Sequence, residues 1–156
     1  MQFRATIFLG FFAVLFSLDA MACGDTLYRV GKGISYRVYT APLPGSVLVY
    51  GQSEGARQLA EALAESGHGV RFVDTRSRLA SELSSSNYDV VIAPFSDHDT
   101  IEASAGTSSN VKTVYLPVAH DRQEAEIAHQ TYTRVMVANR DEIKHYLKAI
   151  HKTLKE

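Results

Sequence analysis

Five short apolar runs, each followed by a segment with helical periodicity, fill the chain from Ser46 onward. The runs are residues 47–50, 70–74, 89–93, 111–118 and 134–138. In the segments that follow them, apolar residues recur every three or four positions, as on the buried face of a helix. Apolar strands that alternate with amphipathic helices predict a parallel sheet covered on both faces. Five such units predict an α/β doubly wound fold, a five-stranded parallel sheet with strand order 2-1-3-4-5.

The predicted helices have recognisable boundaries. Ser53 is a favourable N-cap for the first helix, and Gly67 is a favourable stop. The remaining helices are predicted around residues 79–83 and at residues 97–105, 121–132 and 140–154. The last one begins with acidic and ends with basic side chains, which complements the helix dipole.

The first residues have the pattern of an export signal. Arg4 provides a positive charge, residues 5–18 are nearly all apolar, and the small residues Ala20 and Ala22 precede Cys23. This pattern predicts a signal peptide over residues 1–22, cleavage after Ala22, and a periplasmic location. A membrane anchor is the alternative, but the apolar run is shorter than the roughly 20 residues needed to span a bilayer. No second run follows, so no transmembrane segment is expected.

Cys23 is the only cysteine of the chain and would become its first residue after cleavage. A cysteine at this position is also typical of a bacterial lipoprotein signal, although Ala20 and Met21 are unusual residues for one. A lone cysteine cannot form an internal disulfide. Lipid anchoring, an intermolecular disulfide and a free thiol all remain open for Cys23.

Residues 23–45 form an N-terminal extension to the domain. Alternating apolar residues at 27–39 flank the glycines at 31 and 33 and predict a β-hairpin-like segment. Pro42 and Pro44 then interrupt the chain. The tyrosines of this segment either form a flap over the domain or, with Arg29 and Arg37, a surface that contacts a partner.

Length and charge limit the possible functions. The chain has 156 residues, and its 16 basic and 17 acidic residues nearly balance. Residues 46–156 are long enough for one domain and too short for two. A net charge of −1 gives no reason to expect binding to nucleic acid.

Residues 46–155 resemble the receiver domain of bacterial response regulators in the spacing of their strands and helices. The resemblance is carried by residues 47–50, by residues 87–92 and by the closing amphipathic helix. It implies the flavodoxin-like fold and, in a complete receiver, phosphorylation of an aspartate with the help of Mg²⁺.

The residues that this activity requires are replaced here. Receivers have acidic residues after the first strand, an aspartate at the end of the third, a Ser or Thr after the fourth and a Lys after the fifth. The corresponding positions carry Gly51 and Gln52, Ala93 and Pro94, Pro117, and Ala138. None of these provides a carboxylate nucleophile or an Mg²⁺ ligand. The resemblance therefore implies a pseudo-receiver that retains the fold only.

The start of the mature chain is also similar to a group of short exported bacterial proteins that begin with Cys-Gly-Asp, here residues 23–25. Members of that group tend to have a second cysteine near the position of Thr133. The group implies no activity for this chain.

Motifs of catalysis and nucleotide binding are incomplete. Gly51 and Gly55 follow the first strand, and Asp74 comes about 20 residues later. The middle glycine that would admit a pyrophosphate is replaced by Ser53, which favours a turn with a helix cap. The chain contains no Gly-x-Ser-x-Gly nucleophile elbow.

Two histidines follow neighbouring strands at the edge where ligands of this fold bind. His98 and His120, together with Asp97 and Asp121, predict a site for zinc or another transition metal. A polar ligand groove is a second hypothesis and adds the nearby residues Gln52, Ser53, Glu54 and Asp99. Helix capping is the third, since Ser53, Asp99 and Asp121 each precede a predicted helix and two of them form Asp-x-x-Glu patterns.

Two functions are consistent with these observations. The first, which the sequence favours, is an exported, non-catalytic binding or interaction module without a cofactor, whose partner is a protein or a small ligand. The alternative is a periplasmic domain that binds a metal or a small ligand at the carboxyl ends of the strands, with enzymatic activity left open.

Overall fold

The computed structural model describes residues 40–105 and 113–156, without the side chain of residue 105. The strands are β1 (Ser46–Tyr50), β2 (Gly69–Val73), β3 (Val90–Pro94), β4 (Val114–Ala119) and β5 (Met136–Val137). The α-helices are α1 (Glu54–Glu65), α2 (Arg76–Ser85), α3 (His98–Ala105), α4 (Arg122–Ala128) and α5 (Ile143–Leu154). A 3₁₀ turn, Phe95–Asp97, connects β3 to α3.

The five strands form one parallel sheet in the order β2-β1-β3-β4-β5. This result confirms the predicted fold class and strand order. β1 lies between β2 and β3: Val49 is paired with Phe72 on one side and with Ile92 on the other. The carboxyl ends of all five strands therefore meet at one edge of the sheet, and the amino ends meet at the other.

Both faces of the sheet are buried, because successive strand residues point to opposite sides. On one face, strand residues such as Val49 and Ile92 pack against α1 and α5. On the other face, Leu48 and Val91 pack with residues of α2 and α3, and α4 covers the part near β5. This arrangement explains why the strands are continuously apolar in sequence.

Several element boundaries differ from the prediction. Only Met136 and Val137 pair in the edge strand predicted at 134–138, and the side chain of Arg134 instead contacts Thr153 and Glu156 near the end of α5. α4 ends at Ala128, after which the chain continues in turns. α5 begins at Ile143 rather than at residue 140.

β4 is shifted relative to the predicted run at 111–118, whose first two residues lie outside the described part. It continues to Ala119, so Pro117 lies inside the strand, paired with Ala93. The residues at the carboxyl end of β4 are therefore Ala119 and His120, rather than Pro117.

The predicted signal peptide at 1–22, Cys23 and the predicted hairpin-like segment at 27–39 lie outside the described residues. Of the extension, residues 40–45 are described, and they form no regular secondary structure. Within 40–105 and 113–156, no helix has the length and apolar character required to cross a membrane.

Candidate functional site

The rim residues that follow β1 serve mainly to start α1. Ser53 is buried, and its Oγ accepts a hydrogen bond from the backbone N–H of Ala56 at 3.2 Å, which confirms its predicted role as N-cap. The carboxylate of Glu54 is paired with Arg57. Gln52 is exposed. Two of the three polar side chains predicted for a ligand groove here are thus engaged within α1 itself.

Asp97 lies at the end of the 3₁₀ turn and is held by a residue from a different helix. Its side chain is 8% exposed, and its Oδ1 accepts hydrogen bonds from Nη2 of Arg76 at 2.6 Å and from Nε at 2.8 Å. The contact with Asp97 is the largest cause of the raised pKa of Arg76, and a hydrogen bond with Tyr50 adds to it. The ion pair ties the start of α2 to the connection between β3 and α3.

His98 opens α3 and is fixed by local contacts. Its Nδ1 lies 2.9 Å from the carbonyl oxygen of Phe95, and its Nε2 lies 3.2 Å from Oδ1 of Asp99. The imidazole stacks on the ring of Phe95 with the centroids 4.8 Å apart. Because the 3₁₀ turn follows Pro94 directly, α3 starts at His98, and Asp99 lies inside the helix rather than before it. The predicted capping role of Asp99 is therefore wrong.

His120 and Asp121 form the connection from β4 to α4. Oδ1 of Asp121 accepts a hydrogen bond from the N–H of Glu124 at 2.9 Å, which confirms Asp121 as the N-cap of α4. The Glu124 carboxylate in turn accepts the backbone N–H of His120. His120 is exposed.

The predicted metal ligands consequently have other contacts. Asp97 is paired with Arg76, and Asp121 caps α4. Across the two described ranges, no three His, Cys, Asp or Glu side chains are grouped so that they could hold a metal ion. A zinc or other transition-metal site at His98, His120, Asp97 and Asp121 stays a prediction without a contact in its favour.

The same edge carries an aromatic cluster that the sequence analysis did not identify: Phe95, His98, Tyr115 and Tyr132. The ring of Tyr132 meets Phe95 edge-on at a centroid distance of 6.1 Å and Tyr115 at 5.1 Å. Each of the four residues is half-buried. The cluster joins the 3₁₀ turn after β3, the start of α3, the second residue of β4 and the turns after α4, so it lies beside the carboxyl end of β3.

Acidic side chains surround this aromatic cluster. The hydroxyl of Tyr132 donates to the Glu102 carboxylate. Burial, then Glu102 and Asp99, raise the pKa of Tyr132. Burial is also the largest cause of the raised pKa of Tyr115, and the charges of Asp97, Glu124 and Glu102 add to it. Glu102 thus acts on both phenols, whereas Asp99 acts on Tyr132, and Asp97 and Glu124 act on Tyr115.

Tyr115 also covers the end of β3. Its hydroxyl donates to the carbonyl oxygens of Pro94, at 2.8 Å, and of Ala93, at 3.3 Å. Ala93, at the position where a receiver would have its phosphorylated aspartate, is completely buried. The two backbone carbonyls at the end of β3 are thus both hydrogen-bonded to the phenol of Tyr115.

The aromatic cluster left only a faint signal in the sequence. Tyr132 was assigned to the buried side of a helix, and Tyr115 to the interior of a strand, since periodicity does not distinguish core from edge. Phe95 was the best indication, because a large apolar residue directly after a strand that ends in proline occupies the edge at which ligands bind.

Comparison of the chain with protein-family models, with curated proteins and with solved structures finds no match. Its function is therefore argued from its own residues.

Proposed function

We propose that this protein is an exported, non-catalytic binding module whose partner contacts the aromatic cluster beside the carboxyl end of β3. The observation that supports this proposal most strongly is the composition of that edge. Four half-buried aromatic side chains lie together there, and aromatic residues are enriched where proteins bind partners. In doubly wound sheets, this is also the edge at which ligands bind.

The contacts of the polar residues support a role without catalysis. A general base or nucleophile must be free to reach the reacting atom. Here the Asp97 carboxylate is occupied by Arg76, and those of Asp121 and Glu124 by backbone N–H groups. We accordingly expect no acyl phosphate to form when the protein is incubated with acetyl phosphate and Mg²⁺, whereas a stable adduct on any carboxylate would contradict this part of the proposal.

The charges at this edge favour a basic partner. Asp99 is 91% exposed and contacts a histidine, and Glu102 is exposed and accepts its hydrogen bond from a tyrosine. In the described residues, neither carboxylate forms an ion pair with Lys or Arg. Negative charge beside aromatic rings attracts ammonium and guanidinium groups. We therefore propose a partner segment that contains Lys or Arg.

The binding test is an NMR titration of the mature protein with a short peptide rich in Arg and Lys. We expect shifts of the amide signals of Phe95, His98, Glu102 and Tyr132, and weaker binding at high salt. Glu102→Gln should weaken binding by roughly two- to fivefold, as expected for one exposed charge. The matched control is Glu65→Gln. Glu65 is an exposed carboxylate at the last residue of α1, outside the aromatic cluster, so this substitution should leave binding unchanged.

Two results would contradict the proposed surface: equal binding of an acidic peptide, or equal effects of the two substitutions. The alternative function is tested in parallel with Zn²⁺ alone by calorimetry. Tight Zn²⁺ binding that is abolished by replacing His98 and His120 with Ala would support the metal-binding alternative instead.

Export is tested separately by the intact mass of the protein isolated from the cell. We expect a chain that begins at Cys23, consistent with the signal pattern of residues 1–22. An added diacylglycerol mass would indicate a lipid anchor at Cys23, and an uncleaved chain would contradict export through this signal.

A further inference from the structure

A short segment before β1, residues 41–45, crosses the amino edge of the sheet and is held there by hydrogen bonds. We call this segment the strap. At its start, the N–H of Ala41 donates to the carbonyl of Ser66 at 2.7 Å, and Ala41 is buried. At its end, the carbonyl of Gly45 accepts the N–H of Gly69 at 2.9 Å. The first attachment is made to the connection between α1 and β2, and the second is made to Gly69, the first residue of β2.

His68, the last residue of that connection, makes the third attachment through its side chain. Its Nδ1 lies 3.2 Å from the backbone nitrogen of Gly45 and accepts its N–H. A ring nitrogen can accept a hydrogen bond only while it carries no proton. His68 is 6% exposed, so a proton on Nδ1 would face the Gly45 N–H with little access to water.

Gly45 has little freedom to move away from the imidazole. A Cβ at this position would lie 2.8 Å from Cδ1 and 2.9 Å from Cδ2 of Leu154, which shows how closely α5 approaches. The next residue, Ser46, donates its N–H to Oδ2 of Asp89 at 2.7 Å. The hydrogen-bond donor is therefore held in place, and only the acceptor can change with pH.

The neighbouring elements bring few charges to His68. Asp89, just before β3, directs its Oδ2 at Ser46, Glu65 at the end of α1 is exposed, and α5 contributes the apolar Leu154. Burial lowers the pKa of His68, and no charged group among the described residues contributes to that change. A backbone contact with Gly45 acts in the opposite direction, but burial is the larger cause, so a proton on this imidazole is disfavoured in the closed strap.

We propose that His68 makes the strap an acid-sensitive latch, closed while Nδ1 is unprotonated and open once it binds a proton. Opening would release the contacts of Gly45 with His68 and of Ala41 with Ser66, whereas the pairing of β1 with β2 and β3 begins at Ser46 and Val47, after the strap. The latch would couple the acidity of the surroundings to the attachment of the chain upstream of the domain. Histidine is suited to this role because its unperturbed pKa is near 6.5.

The test measures hydrogen exchange of the Gly45 amide in the mature protein as the pH is lowered, with the His68 imidazole signals followed by NMR. Since the pKa is lowered in the closed strap, protection should be complete above about pH 6.5 and decrease by up to about tenfold per pH unit below it. His68→Asn is the matched variant, because its side-chain oxygen can accept the same N–H but does not titrate. Its Gly45 protection should not depend on pH.

Three results would overturn the latch. The first is Gly45 protection that stays constant while the His68 imidazole titrates. The second is the same pH dependence in His68→Asn. The third is simultaneous loss of protection at Ile92 in β3, which would indicate unfolding of the whole domain rather than release of the strap.

Discussion

The hydroxyl of Tyr115 in β4 donates a hydrogen bond to the carbonyl oxygen of Pro94, the last residue of β3, at 2.8 Å. The phenol thereby satisfies a carbonyl at the point where the sheet gives way to the 3₁₀ turn. Since Tyr132 packs edge-on against the same ring, the contact also sets the position of the aromatic cluster.

Removing this hydroxyl should destabilise the protein. Tyr115→Phe is expected to lower the free energy of unfolding by about 0.5–1.5 kcal/mol. The reason is that the hydrogen bond is lost and the half-buried Pro94 carbonyl no longer has the Tyr115 hydroxyl as its donor. Urea denaturation measures the change. Tyr132→Phe is the control, since its bond to Glu102 is exposed, and should cost less. A greater loss for Tyr132→Phe would show that the Pro94 contact contributes little.

The Arg76–Asp97 ion pair should matter more than other ion pairs of α2. Arg76→Gln leaves the 8% exposed Asp97 carboxylate without its cation, and we expect the free energy of unfolding to fall by about 1–3 kcal/mol. Arg78→Gln breaks an exposed pair with Asp74 and should cost less than about 0.5 kcal/mol. Adding Asp97→Asn to Arg76→Gln should restore part of the loss, and no restoration would mean that the charge of Asp97 is not the cause.

Three glycines should respond differently to alanine. Gly67→Ala places a side chain at φ +98° and should cost about 1 kcal/mol or more. Gly45→Ala displaces only the flexible end of the Leu154 side chain, so it should cost less than Gly67→Ala. At Gly69 the nearest atom to an added Cβ is 3.8 Å away, so the substitution should be nearly neutral. Thermal unfolding checks this order, and Gly69→Ala as the most damaging change would contradict it.

Tyr88 and Glu82 should make stability depend on pH at the alkaline end. Burial, together with the hydrogen bond to Glu82 at 2.7 Å, raises the pKa of Tyr88 to about 12. The unfolded phenol has a pKa near 10, so this contribution is complete below about pH 10 and is lost as the pH rises toward 12. Tyrosinate absorbance follows the titration.

Glu82→Gln tests the origin of that shift. It removes the acceptor charge, so the alkaline midpoint of Tyr88 should decrease but remain above 10, because burial is the larger cause. An unchanged midpoint would assign the whole shift to burial.

The sequence was sufficient for the order of the sheet and for those helix starts that depend on neighbouring residues. Ser53 and Asp121 cap the backbone three residues ahead, so the relevant interaction lies within a short window. Asp99 was misassigned because α3 begins at His98, directly after the 3₁₀ turn, so that Asp99 lies inside the helix. That turn depends on how β3 ends against β4, which periodicity does not report.

The candidate site was less predictable, because its contacts connect distant parts of the chain. Arg76 reaches Asp97 across 21 positions, and Tyr132 reaches Glu102 across 30. Neither pair can be identified before the sheet has placed α2 beside α3, and α4 beside β4. Histidines and carboxylates near each other in sequence suggested a metal site, whereas Asp97 is paired with the distant Arg76, and His98 and Asp121 contact residues within three positions.

The strap enters the domain at the start of β1, whereas the aromatic cluster lies beside the carboxyl end of β3. With a rise of about 3.3 Å per strand residue, the two are separated by roughly 15 Å along the sheet. A partner that contacts the aromatic cluster therefore meets the edge of the sheet opposite the strap, and its binding leaves the attachment of residues 41–45 unobstructed.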